Sequence, residues 1–201
     1  MSERLFKTDV LFLQRILSVS GFYDGPLNGK FTAAVDEAEE KFFKKYEAIK
    51  TKLGEFDART EGCIQTMIPE AQTKAREFMN AVKGQPLTYK IISGTRTYAE
   101  QDILFKKRPK VTNAKGGQSN HNFGIAWDVG IFENGKYYEG KPGKEDKAYV
   151  KLGALIKEKV EGLEWGGDWE SFVDKPHYQL ATGKSVSKLR GLLEKGKPFL
   201  A

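Results

Sequence analysis

Ser119-Asn120-His121-Asn122-Phe123-Gly124-Ile125-Ala126-Trp127-Asp128 contains one of only two histidines in the 201-residue chain, and a carboxylate follows that histidine seven positions on. From Gly124 to Phe132 the run reads as a central strand. Side chains alternate faces along a strand, so Ala126 and Asp128 share one face while His121 sits in the turn entering it. The other histidine is His177, in Asp174-Lys175-Pro176-His177-Tyr178, on a strand expected from Asp174 to Leu180. Two imidazoles and one carboxylate are a donor set that holds Zn²⁺ with its fourth tetrahedral position open to water. Asp174, three residues before His177, is a second carboxylate that could serve as a base. Taken alone, the His-x6-Asp spacing is a weak signal, and spacing does not prove that the second histidine lies on a neighbouring strand.

Upstream of this stretch, Leu87-Thr88-Tyr89-Lys90-Ile91-Ile92-Ser93 alternates and is rich in β-formers, so a strand is expected that delivers Ser93-Gly94-Thr95-Arg96 at its exit. Thr97 with Glu100 makes a capping box that starts a short helix, which the basic run Lys106-Lys107-Arg108-Pro109-Lys110 ends. Pro69 stands at the first position of a helix running towards Val82, where its missing N–H costs nothing. Downstream, Asn134-Gly135 between Ile131-Phe132 and Tyr137-Tyr138 predicts a two-residue hairpin. An amphipathic helix over residues 146–160, a short strand with a glycine turn at Leu163 to Trp169, and a last helix from Ser185 to Leu193 complete this part. Helices bracketing a small, mostly antiparallel sheet make an α+β domain.

At the other end, apolar spacing predicts a helix from Thr8, a candidate cap, to Ser18. A glycine-rich loop over residues 21–30 follows, then a second helix from Thr32 to about Tyr46. Residues 51–60 lose the apolar period and read as a connection. The expected organisation is therefore a helical module over residues 1–50 and a larger domain over 51–201.

Composition sets the outer bounds. Hydrophobic residues make up 39% and charged residues 30%, so nothing in the composition points to disorder, and no apolar run approaches the ~20 residues that span a bilayer. The first nine residues carry charges where a secretory signal would need its apolar stretch. A single cysteine, Cys63, rules out an internal disulfide and is expected in the core. The net charge of +6 arises after residue 50, because the first fifty residues hold eight charges of each sign. Such an excess fits an anionic polymer or a carboxylate-bearing substrate, or nucleic acid, or simply solubility.

Two resemblances join these parts. Leu13-Gln14-Arg15-Ile16-Leu17, Gly21-Phe22-Tyr23-Asp24-Gly25-Pro26, Asn28-Gly29 and Phe31-Thr32 resemble the small helical peptidoglycan-binding repeat found beside cell-wall hydrolases, although Lys41-Phe42-Phe43 replaces that family's Phe-Gln ending. Ser119-x-His121-x-x-Gly124-x-Ala126-x-Asp128, with Asp174-x-x-His177 and Ser93-Gly94-Thr95-Arg96, resembles the zinc peptidases grouped with D-Ala-D-Ala carboxypeptidases, lysostaphin and hedgehog domains. Thr97 to Gln101, Asn113-Ala114, Trp165-Gly166-Gly167-Asp168-Trp169 and Pro176-His177-Tyr178-Gln179 look most like the L-alanyl-D-glutamate endopeptidases of bacteria and phage endolysins.

The second resemblance implies one zinc per chain held by His121, Asp128 and His177, with Asp174 as general base and Arg96 near the scissile carbonyl. Gln101, Ser119, Trp127 and Tyr178 are its candidate substrate contacts, while Trp127, Trp165 and Trp169 read more readily as core or pocket wall than as sugar-stacking platforms. Lysostaphin-like members carry His-x-His where this chain has His177-Tyr178-Gln179, so Gln179 is not added as a ligand. The implied activity is hydrolysis of a peptidoglycan stem-peptide bond, L-Ala–D-Glu, by metal-activated water. The alternatives are a D-Ala-D-Ala carboxypeptidase or dipeptidase, and a non-catalytic zinc or wall-binding module. Peptidoglycan is the expected partner, with no nucleic acid, no membrane insertion and a monomeric chain. Synthesis in the cytoplasm, with action on the wall after holin release or secretion, completes the expectation.

Overall fold

The computed structural model describes residues 6–138 and 144–200, so the first five residues of the N-terminal stretch read above lie outside the described residues. The chain divides into two compact units, each drawn from separate stretches.

The first unit comprises Met1–Ala48, Arg96–Gly124 and Thr182–Ala201. Its helix α1 (Lys7–Val19) opens without a side-chain cap, with Phe6 at the cap position; Thr8, the expected cap, is already inside the helix. Leu17, Tyr23, Val35 and Ala38 form its apolar cluster, flanked by Leu13, Phe22, Leu27 and Phe42. The glycine loop is held from within. The buried Gln14 accepts from the backbone N–H groups of Asn28 (3.0 Å) and Gly29 (2.9 Å) and donates to the Lys30 carbonyl (3.0 Å). One side chain thereby satisfies three backbone groups that a loop without regular structure would leave open. Helix α2 (Ala33–Leu53) starts beside Thr32 as expected but runs beyond Tyr46.

The second unit comprises Ile49–Thr95 and Ile125–Ala181. Residues 51–60 are not an irregular connection: α2 ends at Leu53, and a further helix, α3 (Ala58–Ile64), begins after Asp57, whose carboxylate caps Thr60. The period was invisible because the buried positions of α3 include Thr60 and Glu61. Glu61 forms a two-pronged ion pair with the fully buried Arg76 of α4 (Pro69–Ala81), at 2.8 and 2.7 Å, and Arg76 also donates to the Gly54 carbonyl at 2.6 Å. Removing one partner of such a pair leaves a buried charge uncompensated. Glu61→Leu is therefore expected to cost about 3–5 kcal/mol, read as a lower urea midpoint at unchanged m-value.

The sheet of this unit has β1 (Thr88–Ser93), β2 (Ala126–Glu133), β3 (Lys136–Tyr137), β4 (Leu163–Trp165) and β5 (His177–Leu180). Its order is β1-β2-β5-β4, with β3 on β2 through the Asn134-Gly135 hairpin, and every pairing is antiparallel. Both hairpin residues have positive φ (52° and 77°), as the tight turn requires. The architecture is α+β, as the element pattern predicted.

Period-two alternation divides the sheet's faces. Trp127 of β2, Tyr178 of β5 and Trp165 of β4 lie side by side in register, and Phe78 of α4 meets Tyr178 at 4.8 Å and Trp127 at 6.3 Å, edge to face. On helix α6 (Lys144–Lys159), the Tyr149 hydroxyl donates to the Val129 carbonyl at 3.1 Å. Large aromatic and aliphatic groups thus cover one face, leaving the opposite row of side chains for chemistry. Cys63 departs from expectation: it is half-buried on α3 rather than in the core. Burial, with the charges of Asp128 and Asp57, raises its thiol pKa against the opposing pull of Arg59.

Candidate metal centre

On the face opposite the aromatic row, β2 and β5 pair so that Asp128 stands directly across from His177. Directly opposed residues of an antiparallel pair have their Cβ atoms about 4.5–5.5 Å apart. A carboxylate and an imidazole at those positions are brought within reach by the backbone alone, and His177 Nδ1 lies 3.4 Å from Asp128 Oδ1. On the other side of Asp128, β1 carries a register shift between Ile91 and Ser93. Such bulges re-aim side chains beside functional sites.

His121 arrives by a different device. It sits in a single helical turn, Asn120–Phe123, which ends at Gly124 in the left-handed conformation (φ 69°). That φ is strained for a residue with a Cβ, so glycine lets the chain pass from the His121 turn straight into β2. The turn is braced by Asn122, fully buried, which accepts from the Gly117 N–H (2.9 Å) and donates to the carbonyls of Arg96 (2.9 Å) and Thr97 (3.3 Å). The Arg96 N–H in turn donates to the His121 carbonyl at 3.1 Å.

His121, Asp128 and His177 can each offer one donor atom such that all three lie within 4.8 Å of one another. Zinc bonds of about 2.0–2.1 Å in a tetrahedron place neighbouring donors roughly 3.3–3.4 Å apart, which is the separation between His177 Nδ1 and Asp128 Oδ1. The donor types, and the separation of the Asp128–His177 pair, therefore fit a divalent transition metal.

Asp174 reaches this neighbourhood through a turn that closes on His177. The His177 N–H donates to the Asp174 carbonyl (3.2 Å), and the Asp174 N–H donates to the Gly166 carbonyl (3.0 Å). The Trp165 indole N–H donates to the Lys175 carbonyl at 2.7 Å. A Cβ on Gly166 would collide with the Asp174 carbonyl, which explains a glycine after Trp165. Trp169 stands against the His177 ring, centroids 5.0 Å apart. Burial works to lower the His177 pKa, but the hydrogen bond and charge of Asp128, the hydrogen bond of Gln179 and the charge of Asp174 outweigh it, so the net shift is upward.

The remaining candidates fall differently. Ser119 is half-buried at the entry of the His121 turn, where its carbonyl accepts from the Asn122 N–H at 2.9 Å. Gln101, on α5 (Tyr98–Lys106), is completely buried: it accepts from Arg96 at 3.3 Å and donates to the Ala114 carbonyl at 3.0 Å. Trp127 and Tyr178 are also completely buried. These three have no surface to present to a substrate, so Gln101 reads as a support for the half-buried Arg96, and the two aromatics as core. Asn122 was missed as a brace because nothing in its local sequence separates it from the turn residues around it.

Asp128 and His177 on the sheet, with His121 in the turn before β2, make up a His–Asp–His group that could hold a metal ion, and the comparisons with known proteins supply the class, a metal-dependent peptidase. A profile of the family described as D-alanyl-D-alanine carboxypeptidase matches residues 112–180. The chain is 34% identical over 124 residues to the peptidoglycan L-alanyl-D-glutamate endopeptidase CwlK of Bacillus subtilis (strain 168), covering 56% of this chain and 72% of the relative. Among solved structures it is similar to the Serratia marcescens L-Ala D-Glu endopeptidase ChiX, with a TM-score of 0.48, 24% identity, and coverage of 62% of this chain and 88% of that one. The chain belongs to the D-alanyl-D-alanine carboxypeptidase family of metallopeptidases.

Proposed function

We propose that the protein is a zinc-dependent peptidoglycan hydrolase that cuts the L-Ala–D-Glu bond of the stem peptide. The observation that carries the reading is the cross-strand pairing of Asp128 with His177 in a His–Asp–His donor set, in a chain related to an enzyme named for that bond. Bound zinc supplies a Lewis acid and lowers the pKa of a water towards ~7. His121, Asp128 and His177 hold it. Asp174 takes the proton of the attacking water and returns it to the leaving amine. The Arg96 guanidinium, held by Gln101, offers a fixed fork to the oxyanion that develops on the scissile carbonyl. Ser119, the one half-buried member of the four residues expected at the substrate, remains the candidate contact.

Residues 1–50 are proposed to add affinity for the wall. No described helix is long and apolar enough to cross a membrane. The polymer lies outside the cytoplasmic membrane, and release through a holin or a secretion machine is the proposed route to it.

A second reading, removal of terminal D-Ala, is favoured by the description of the matching family. Digestion of purified sacculi followed by mass spectrometry separates the two. New D-Glu amino termini, lost on chelation, are the expected result. Loss of terminal D-Ala supports the second reading, and unaltered sacculi from zinc-loaded protein overturn both.

A further inference from the structure

Gln179 follows His177 by two positions on β5, so both side chains emerge on the same face. The register places Gln179 between Ala126 of β2 and Glu164 of β4. It is buried, 7% exposed, whereas Glu164 is exposed. The Gln179 Nε2 group donates to Glu164 Oε2 at 2.6 Å, and Gln179 Oε1 lies 2.9 Å from His177 Nε2.

The direction of each bond follows from donor chemistry. A carboxylate only accepts, so Glu164 must receive the NH₂ end of the amide. The oxygen end is thereby turned towards His177. An amide oxygen also only accepts, so the facing Nε2 must carry a hydrogen. In neutral imidazole the lone pair then resides on Nδ1, the nitrogen 3.4 Å from Asp128 Oδ1. Ala126, opposite Gln179, brings no polar side chain to the amide.

We propose that Glu164 and Gln179 form a two-residue relay that positions His177 as a metal ligand, fixing both its ring orientation and the Nδ1-bound tautomer. Gln179 thus does not donate to the metal; it sets which nitrogen of His177 does. Outer partners of ligating histidines contribute about ten- to a hundredfold in metal affinity. The inference rests on the metal site proposed above.

The test is zinc affinity, measured by competition with a chromophoric chelator, together with long-range ¹H–¹⁵N spectra of the histidines in the zinc-loaded wild type. Gln179→Met, similar in length but without an acceptor, is expected to weaken zinc binding about ten- to a hundredfold. Glu164→Leu, at an exposed position, is expected to weaken it less. The exchanged pair Gln179→Glu with Glu164→Gln restores an acceptor facing Nε2 and a donor behind it, and is expected to recover affinity. A merely structural role would not produce that recovery.

The wild-type spectra are expected to show His177 protonated at Nε2. Protonation at Nδ1, or unchanged affinity in both single variants, overturns the relay. Should Gln179→Met not fold, Glu164→Leu and the wild-type spectra decide. A wild type that takes up no zinc overturns the metal site itself, and the relay with it.

Discussion

Asp174→Asn is expected to lower kcat on purified sacculi by about 10²–10⁴-fold, the range contributed by a positioned general base, while one zinc per chain is retained. Asn preserves the shape of the side chain but cannot take up a proton at neutral pH. Backbone groups of Asp174, Gly166 and His177, and the Trp165 indole on the Lys175 carbonyl, hold the surrounding turn and are all kept in this variant. Turnover and zinc content therefore separate in this variant. Wild-type turnover would assign the proton transfer to another group, and joint loss of zinc and activity would make Asp174 a support of the metal site.

His177→Ala is expected to lose zinc and activity together, since only two of the three protein donors remain. The pH dependence follows from the upward shift of the His177 pKa, in which Asp128 and its neighbours overcome burial. A ligating histidine must be deprotonated, so proton and metal compete. Zinc affinity should therefore fall as pH is lowered through the raised value, at a higher pH than for an ordinary histidine near ~6.5. In the metal-free protein the sign is reversed. A group whose folded pKa lies above its unfolded value contributes stability that is complete below the unfolded pKa and lost as pH rises through the folded one. Thermal melts in chelator across the neutral range, compared between wild type and His177→Ala, read this directly. A difference between the two proteins that is independent of pH would contradict it.

Local signals were the most legible part of the fold. The capping box of α5 is complete, with the Thr97 N–H on Glu100 at 2.7 Å and the Glu100 N–H on Thr97 at 3.2 Å. Pro69 opens α4, and Asn134-Gly135 turns the hairpin. Each depends on residues within a few positions, so the chain needs no distant partner to reveal it. Helix α3 failed that test. Its Glu61 is buried because Arg76, fifteen positions away, neutralises it. A polar helix looks like a connection until its partner is known.

The candidate site divides along the same line. Both histidines, Asp128 and Asp174 could be picked out because few residue types bind zinc or move protons, and this chain has only two histidines to place. The substrate contacts were less legible: Trp127, Tyr178 and Gln101 are polar-tipped or aromatic residues whose burial is set by packing that no local pattern records. Ser119 alone of that group keeps some exposure.

The Ser119–Asp128 stretch thus contains, in its residues alone, a candidate ligand pair, the glycine that turns between them and the alternation that sends Asp128 away from Trp127. Pairing decides the rest, because hydrogen bonds between distant strands have no signature in either strand by itself. Only the β2–β5 register sets His177 opposite Asp128, and only β4 alongside β5 lets Glu164 orient Gln179 towards the histidine. A slip of one residue in either register would turn those side chains to the opposite face of the sheet.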